Sequence, residues 1–156
     1  YNSYDNAVRY NDSIIAGLIK RFSATDPNGF LLYLSDHGED VFASGKHDRL
    51  GRNEAAPTRP MYTIPFMVWT SPSWQQAHPR DLQAIKDRPY SSAHLIHTIS
   101  DLAGLHYDLF DATQSVAGNQ FKASPRWIGD PYKEKGLHEF DALPQEPAQQ
   151  PVLTAK

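Results

Sequence analysis

An aspartate and a histidine stand side by side where an apolar run ends. The stretch 29–40 reads GFLLYLSDHGED, and Asp36 and His37 directly follow the run 30–35. A carboxylate oxygen and an imidazole nitrogen are both good ligands for Zn²⁺. Burying either group without a partner costs free energy, and a bound metal would offset that cost. The pair therefore indicates a candidate metal site.

A third candidate ligand follows in the next polar segment. His47 comes eleven residues after Asp36, across a segment that contains glycine and can fold back over the end of the run. Zinc takes about four ligands, and this neighbourhood supplies three at most. An Asp-His dipeptide after a strand is also a common form of capped turn. The residues alone leave a structural role and a metal role open.

The elements that would position this pair follow from apolar spacing. We predict two buried strands and two amphipathic helices, over residues 30–35, 63–71, 3–22 and 91–103. The strand runs do not alternate, which is typical of a sheet covered on both faces. The helices repeat apolar residues at three- and four-residue spacing, and Gly104 would end the second one as a left-handed cap. This order predicts an α/β fold, a three-layer sandwich around a mostly parallel sheet, in which the two strand runs are neighbours.

The polar segment between the two strands, from Gly38 to Tyr62, predicts a long functional loop. In such sheets ligands bind beyond the carboxyl ends of parallel strands, which is where Asp36 and His37 stand. The arginines of the loop, Arg49, Arg52 and Arg59, match the geometry of a phosphate. A solvated loop is the alternative interpretation, and Arg52 is the candidate phosphate contact that we retain.

Composition narrows the class of protein. The chain has 156 residues, a net charge of −3 and no cysteine, so disulfides and thiolate sites are excluded within it. The charge balance gives no reason to expect nucleic-acid binding. No apolar run approaches the roughly 18–20 residues that cross a bilayer. The chain does not begin with methionine, and we expect it to be part of a longer protein.

Several motifs resemble one enzyme family. The stretch YLSDHGED with a later histidine resembles the C-terminal metal motif of the alkaline phosphatase/sulfatase superfamily, and SDHGE resembles its phosphoethanolamine transferase branch. The stretches YDNAVRYNDSIIAGLIKRF, TIPFMVWTS and LIHTISDLAGL resemble family elements in the same order. GRNE (51–54) and RWIGDPY (126–132) resemble the heptose-directed subgroup of that branch. The resemblance covers about residues 1–140.

The resemblance implies a reaction and a location. Members of this branch transfer phosphoethanolamine from phosphatidylethanolamine to lipopolysaccharide, here to a core heptose. A zinc-activated threonine attacks the donor phosphate, and that threonine is expected upstream of this chain, so no catalytic nucleophile is assigned within it. A separate membrane domain, absent from this chain, anchors such enzymes in the bacterial inner membrane with the catalytic domain facing the periplasm. We expect this chain alone to be inactive.

The same resemblance implies roles for individual residues. Asp36 and His37 match two zinc ligands, and His47 matches a histidine near the phosphate or a second metal. Glu39 fits the motif as a residue that orients its neighbours. Residues 1–142 would form the C-terminal part of the catalytic domain, and the Pro/Gln-rich residues 143–156 a disordered tail.

Two other functions stay open on the sequence. The chain could belong to another hydrolase of the superfamily, such as a sulfatase or phosphatase, or to a binding module without catalysis. The identity of the upstream nucleophile would separate the transferase from the hydrolase. The presence of Asp36, His37 and His47 together argues against a degenerate module, since such a site loses its ligands first. His94 and His97, on the second helix, are expected to pack and make one hydrogen bond each.

Overall fold

A computed structural model describes residues 2–25, 28–41 and 50–145. The predictions for His47, for Arg49 and for most of the tail, 146–156, lie outside the described residues. Contacts divide the chain into two compact units, one combining Tyr1–Tyr33 with Phe66–Ser124 and the other combining Leu34–Pro65 with Pro125–Lys156. The described helices are α1 (Asn2–Thr25), α2 (Arg59–Tyr62), α3 (Pro72–Ala77) and α4 (Leu95–Ala103). The described strands are β1 (Phe30–Leu34), β2 (Asp40–Val41), β3 (Leu50–Gly51), β4 (Phe66–Thr70), β5 (Trp127–Gly129) and β6 (Leu137–Glu139).

Strands β1 and β4 are neighbours in one two-stranded sheet, as predicted. Pro65 cannot donate a ladder hydrogen bond, and β4 begins just after it. The backbone N–H of Ser71, which follows β4, donates to the carbonyl of Gly29, which precedes β1, at 2.9 Å. The end of one strand therefore meets the start of the other, so this pair runs antiparallel. In a parallel pair of this length those residues would lie more than about 10 Å apart.

This pair therefore does not belong to the parallel part of the predicted sheet. The described residues contain three two-stranded sheets, β1 with β4, β2 with β3, and β5 with β6. The chain returns from β1 to β4 without a described crossover helix of the length that a parallel connection needs. The three-layer sandwich around a mostly parallel sheet stays a prediction.

The core of the first unit forms around α3 and α4. Trp74, Leu102 and Ala117 are buried together, and Phe30 of β1 and Val68 of β4 pack against them. The Ser71 hydroxyl caps α3 by accepting a hydrogen bond from the backbone N–H of Trp74. These contacts hold β1 and β4 against the helices of the unit.

Helix α4 buries hydroxyl side chains as well as apolar ones. It ends at Gly104 in the left-handed conformation (φ 68°), as expected. Ile96 is exposed despite being apolar, whereas Thr98 is fully buried. The Thr98 hydroxyl forms a hydrogen bond with the Tyr90 hydroxyl at 2.8 Å and accepts one from the Val116 N–H at 3.2 Å. The buried hydroxyl is therefore hydrogen-bonded.

The two histidines of this region make the single hydrogen bonds that we expected. His94 bonds through Nε2 with the Ser124 hydroxyl at 3.1 Å, and His97 accepts the backbone N–H of Asp111 through Nδ1 at 3.2 Å. Both contacts are those of structural residues.

Candidate metal site

The Asp36 and His37 side chains face each other just beyond the end of β1. The Nε2 atom of His37 lies 3.7 Å from Oδ2 of Asp36. The Ser35 hydroxyl donates to the His37 carbonyl at 2.8 Å, which holds the backbone turn that brings the two side chains together. Neither side chain is used as a helix cap, so both metal-binding atoms remain available.

The other ring nitrogen of His37 has a partner of its own. Nδ1 lies 3.0 Å from the carbonyl of Gly38, which can only accept a hydrogen bond. Nδ1 is therefore the nitrogen that donates to this carbonyl, and Nε2 is the nitrogen that faces Asp36. Metal-bound histidines are oriented by the same kind of second hydrogen bond. The Glu39 carboxylate lies 3.6 Å from Nδ1, so its negative charge also favours a hydrogen on that nitrogen.

The pair is more exposed than we expected. A buried pair would need a charged or hydrogen-bonding partner to offset the cost of burial. The Asp36 side chain, however, is 87% exposed and that of His37 is 39% exposed. The pKa of Asp36 is lowered, first by the backbone N–H of His37 and then by the His37 charge. Asp36 is therefore an accessible, ionised carboxylate, and its position beside His37 reflects local turn geometry instead of a buried charge.

The pair fits part of a zinc site. Tetrahedral zinc with nitrogen and oxygen ligands at about 2.0–2.2 Å places two donor atoms about 3.3–3.6 Å apart. The observed 3.7 Å is within a small side-chain rotation of that separation. Within residues 2–25, 28–41 and 50–145, no group of three His, Cys, Asp or Glu residues could hold a metal ion. The described residues thus supply two candidate ligands, and the position of His47 is outside them.

The metal motif rests directly on α2, a contact that the sequence did not reveal. Gly38 donates its N–H to the carbonyl of Met61 at 3.1 Å. A Cβ atom at Gly38 would lie 2.1 Å from the carbonyl oxygen of Pro60 and 2.6 Å from that of Thr63. Only glycine permits this approach. The one available signal was the glycine inside an otherwise polar motif.

A buried carboxylate also ties the motif to α2. Asp40 is fully buried, and Oδ2 accepts a hydrogen bond from the hydroxyl of Thr58 at 2.8 Å. Thr58 directly precedes α2 but makes no side-chain cap with that helix. Its hydroxyl instead joins α2 to β2. Asp40 closes the stretch YLSDHGED, but nothing in the sequence pairs it with Thr58, eighteen residues away.

Arg52 is held by two neighbours in the second unit. Its Nη2 pairs with Oε1 of Glu54, and its guanidinium lies 5.4 Å from the centre of the Tyr62 ring. The Tyr62 hydroxyl donates to the other oxygen of Glu54. The pKa of Glu54 is lowered, chiefly by the Tyr62 hydroxyl and also by Arg52. Glu54 thus occupies Nη2 of Arg52, one of the two terminal nitrogens that a phosphate would contact.

The same cluster predicts a change at alkaline pH. Burial, with the Glu54 carboxylate, raises the pKa of Tyr62 from 10.0 to about 12. A raised pKa means that the folded protein holds the proton more tightly, so this contribution to stability is complete below about pH 10 and is lost between about pH 10 and 12. In an ultraviolet titration of tyrosinate, we expect the Tyr62→Phe variant to lack the phenol that ionises near pH 12. Tyr132→Phe, which removes a strongly exposed phenol, is the control, and identical titrations of the two variants would contradict the assignment.

Arg59 is occupied by other groups. Its guanidinium donates to three backbone carbonyls, those of Asp141, Leu143 and Pro144, at 3.0–3.2 Å. Its Nε and Nη2 donors are directed at the chain, so the structure does not support Arg59 as a phosphate contact. Leu143 and Pro144, which we placed in the tail, provide some of these carbonyls.

Comparison with known proteins decides the family. The sequence profile described as Sulfatase matches residues 1–105. The chain belongs to the sulfatase family. Among relatives in this family, it is 59% identical over 144 residues to phosphoethanolamine transferase EptC of Escherichia coli strain K12. It is 60% identical over 144 residues to phosphoethanolamine transferase CptA of Salmonella typhimurium strain LT2. Each match covers 92% of this chain and 25% of the relative, so the chain spans about a quarter of their length.

A solved sulfatase-family structure shares the fold. The crystal structure of the C-terminal periplasmic domain of EcEptC from Escherichia coli matches with a TM-score of 0.88 and 59% identity, over 92% of this chain and 41% of that one. A second structure of that domain, described as a complex with Zn, matches equally well and is covered to 40%. The family match and these structures support an alkaline phosphatase-like fold. No helix in the described part of the chain is long and apolar enough to cross a membrane.

Proposed function

We propose that this chain is part of the catalytic domain of a phosphoethanolamine transferase. The complete protein would move phosphoethanolamine from phosphatidylethanolamine to a heptose of the lipopolysaccharide core. The observation that carries the proposal is the Asp36–His37 pair, with Nε2 and Oδ2 3.7 Å apart and the opposite ring nitrogen bonded to the Gly38 carbonyl. High identity to relatives named as phosphoethanolamine transferases supports the reaction class.

Different residues of the chain would bind the zinc ion and the phosphate. Asp36 and His37 would hold a zinc ion, and Glu39 would keep the proton on Nδ1 of His37. His47 would contact the phosphate or a second metal. Zinc, when bound, lowers the pKa of a coordinated hydroxyl and neutralises charge on the phosphate. The existence of a zinc complex of the EptC domain supports this choice of metal.

The chemistry needs a nucleophile from outside this chain. The hydroxyl oxygen of a threonine would form a bond to the donor phosphorus, while the bond from phosphorus to the diacylglycerol oxygen breaks and diacylglycerol leaves with a proton. A heptose hydroxyl would then displace the threonine. The planar guanidinium of Arg52 matches two phosphate oxygens, so it would stabilise the phosphate after releasing Glu54.

The proposed site of action is the periplasmic face of the inner membrane. Phosphatidylethanolamine is a membrane lipid, and the solved relative is described as a C-terminal periplasmic domain. A membrane domain outside this chain would anchor the enzyme beside its donor and acceptor.

The test is a transfer assay with the complete protein. A fluorescent phosphatidylethanolamine donor is incubated with lipopolysaccharide, and diacylglycerol release and the mass of the acceptor are both measured. We expect diacylglycerol and an acceptor heavier by one phosphoethanolamine, with no gain on lipopolysaccharide that lacks core heptose. Release of free phosphoethanolamine without transfer would instead indicate a hydrolase, and no turnover would indicate a binding module.

A further inference from the structure

Helix α2 cannot fix its own position beneath the metal motif. It has four residues, and Thr58 makes no side-chain cap with it. A helix of this length has no stability in isolation. Yet its carbonyls meet Gly38 at closer range than a side chain would allow. Tertiary contacts must therefore hold α2 in place, and α2 in turn holds Gly38.

One group of these contacts comes from 82–85 residues further along the chain. The Arg59 guanidinium donates to the carbonyls of Asp141 and Leu143 at 3.0 Å through Nη2, and to those of Leu143 and Pro144 at 3.2 Å through Nε. The same guanidinium lies 4.7 Å from the centre of the Phe140 ring. An arginine that is both hydrogen-bonded and stacked in this way is held in one geometry.

A second arginine fixes the turn that receives Arg59. The Arg126 guanidinium lies 4.5 Å from the centre of the Phe140 ring and pairs through Nε and Nη2 with the Asp141 carboxylate. The pKa of Asp141 is lowered, chiefly by Arg126, so the carboxylate is ionised at neutral pH. Phe140 thus contacts two guanidinium groups, and the turn 140–144 is anchored to the residue before β5 on one side and to α2 on the other.

We propose that Arg59 and the turn 140–144 form a clasp that positions the metal pair. Arg59 is a positioning residue: it acts through the Met61 carbonyl on the Gly38 N–H, and through the Gly38 carbonyl on Nδ1 of His37. The proposal rests on the proposed function for its link to zinc, and it assigns to the C-terminal segment a role in the site. Loss of the clasp frees α2, loosens Gly38 and lets the His37 ring rotate.

The test compares Arg59→Ala with Arg80→Ala in the complete protein. Arg80 is a matched control because it pairs with Asp101 at 3.0 Å and lies 5.5 Å from the Trp74 ring, within the other unit. Amide hydrogen exchange of the peptide that contains Gly38 is measured without metal, and zinc affinity is measured by competition with a chromophoric chelator. We expect faster exchange at Gly38 and about 10-fold weaker zinc binding for Arg59→Ala only, the effect typical of an outer partner of a metal ligand.

A milder variant keeps the test decisive. Arg59→Lys retains the charge but loses the planar guanidinium. If Arg59→Ala does not accumulate as folded protein, Arg59→Lys should show the same faster exchange at Gly38 and weaker zinc binding. Unchanged exchange at Gly38, or equal changes in the Arg59 and Arg80 variants, would overturn the clasp. Because the exchange measurement needs neither metal nor substrate, a protein that transfers no phosphoethanolamine would refute the proposed function and leave this result standing.

Discussion

Asp36→Ala or His37→Ala in the complete protein is expected to lower phosphoethanolamine transfer by at least about 100-fold. Loss of a residue that only orients a metal ligand costs about 10–100-fold in affinity or activity, and loss of a ligand should exceed that. Each variant would remove one of the two ligands that the proposed site takes from the described residues. Diacylglycerol release from fluorescent phosphatidylethanolamine measures the effect, and zinc content is measured in parallel.

Two exposed residues of the same types provide the controls. Asp87 and His138 are exposed and lie outside the candidate site. Asp87→Ala and His138→Ala should keep activity and zinc content within the error of the assay. Full transfer by Asp36→Ala with normal zinc content would refute the assignment of this pair. A loss of activity of the same size in the control variants would refute it as well.

Gly38→Ala is expected to damage both the fold and the site. The added Cβ would lie 2.1 Å and 2.6 Å from two backbone oxygens, so α2 or the metal motif must move. Overpacking of this kind costs about 1–3 kcal/mol and lowers the melting temperature by several degrees. Displacement of Gly38 also displaces the acceptor for Nδ1 of His37, so zinc affinity should fall at least about 10-fold. Thermal melting and chelator competition on the complete protein measure the two effects.

Gly17→Ala is the matched control for that substitution. A Cβ at Gly17 would meet nothing within 4 Å, and Gly17 lies in the interior of α1. Alanine in a helix interior stabilises by about 0.5–1 kcal/mol relative to glycine. The two substitutions should therefore change the melting temperature in opposite directions. A Gly38→Ala protein that melts and binds zinc like the unsubstituted protein would show that the close approach to α2 is not required.

Local features of the chain were predictable because their causes are local. Apolar spacing identified α1, α4 and the two strand runs, and a glycine at the end of α4 predicted its left-handed cap. The adjacency of Asp36 and His37 is covalent, so the two groups are close along the chain, and the turn held by Ser35 makes their side chains face each other. The amino-acid sequence was therefore sufficient to recognise this motif as a candidate metal pair.

Tertiary structure alone decided how that pair is used and supported. The direction of β4 beside β1, the exposure of Asp36 and the burial of Thr98 depend on which distant segments pack together. Periodicity predicts which residues share a face of an element, but not which face is covered or by what. The donors of Arg59 find carbonyls 82–85 residues away, a pairing that leaves no signature at either position. The sequence by itself thus determined the chemical groups and their local order, whereas long-range packing determined the framework that holds them.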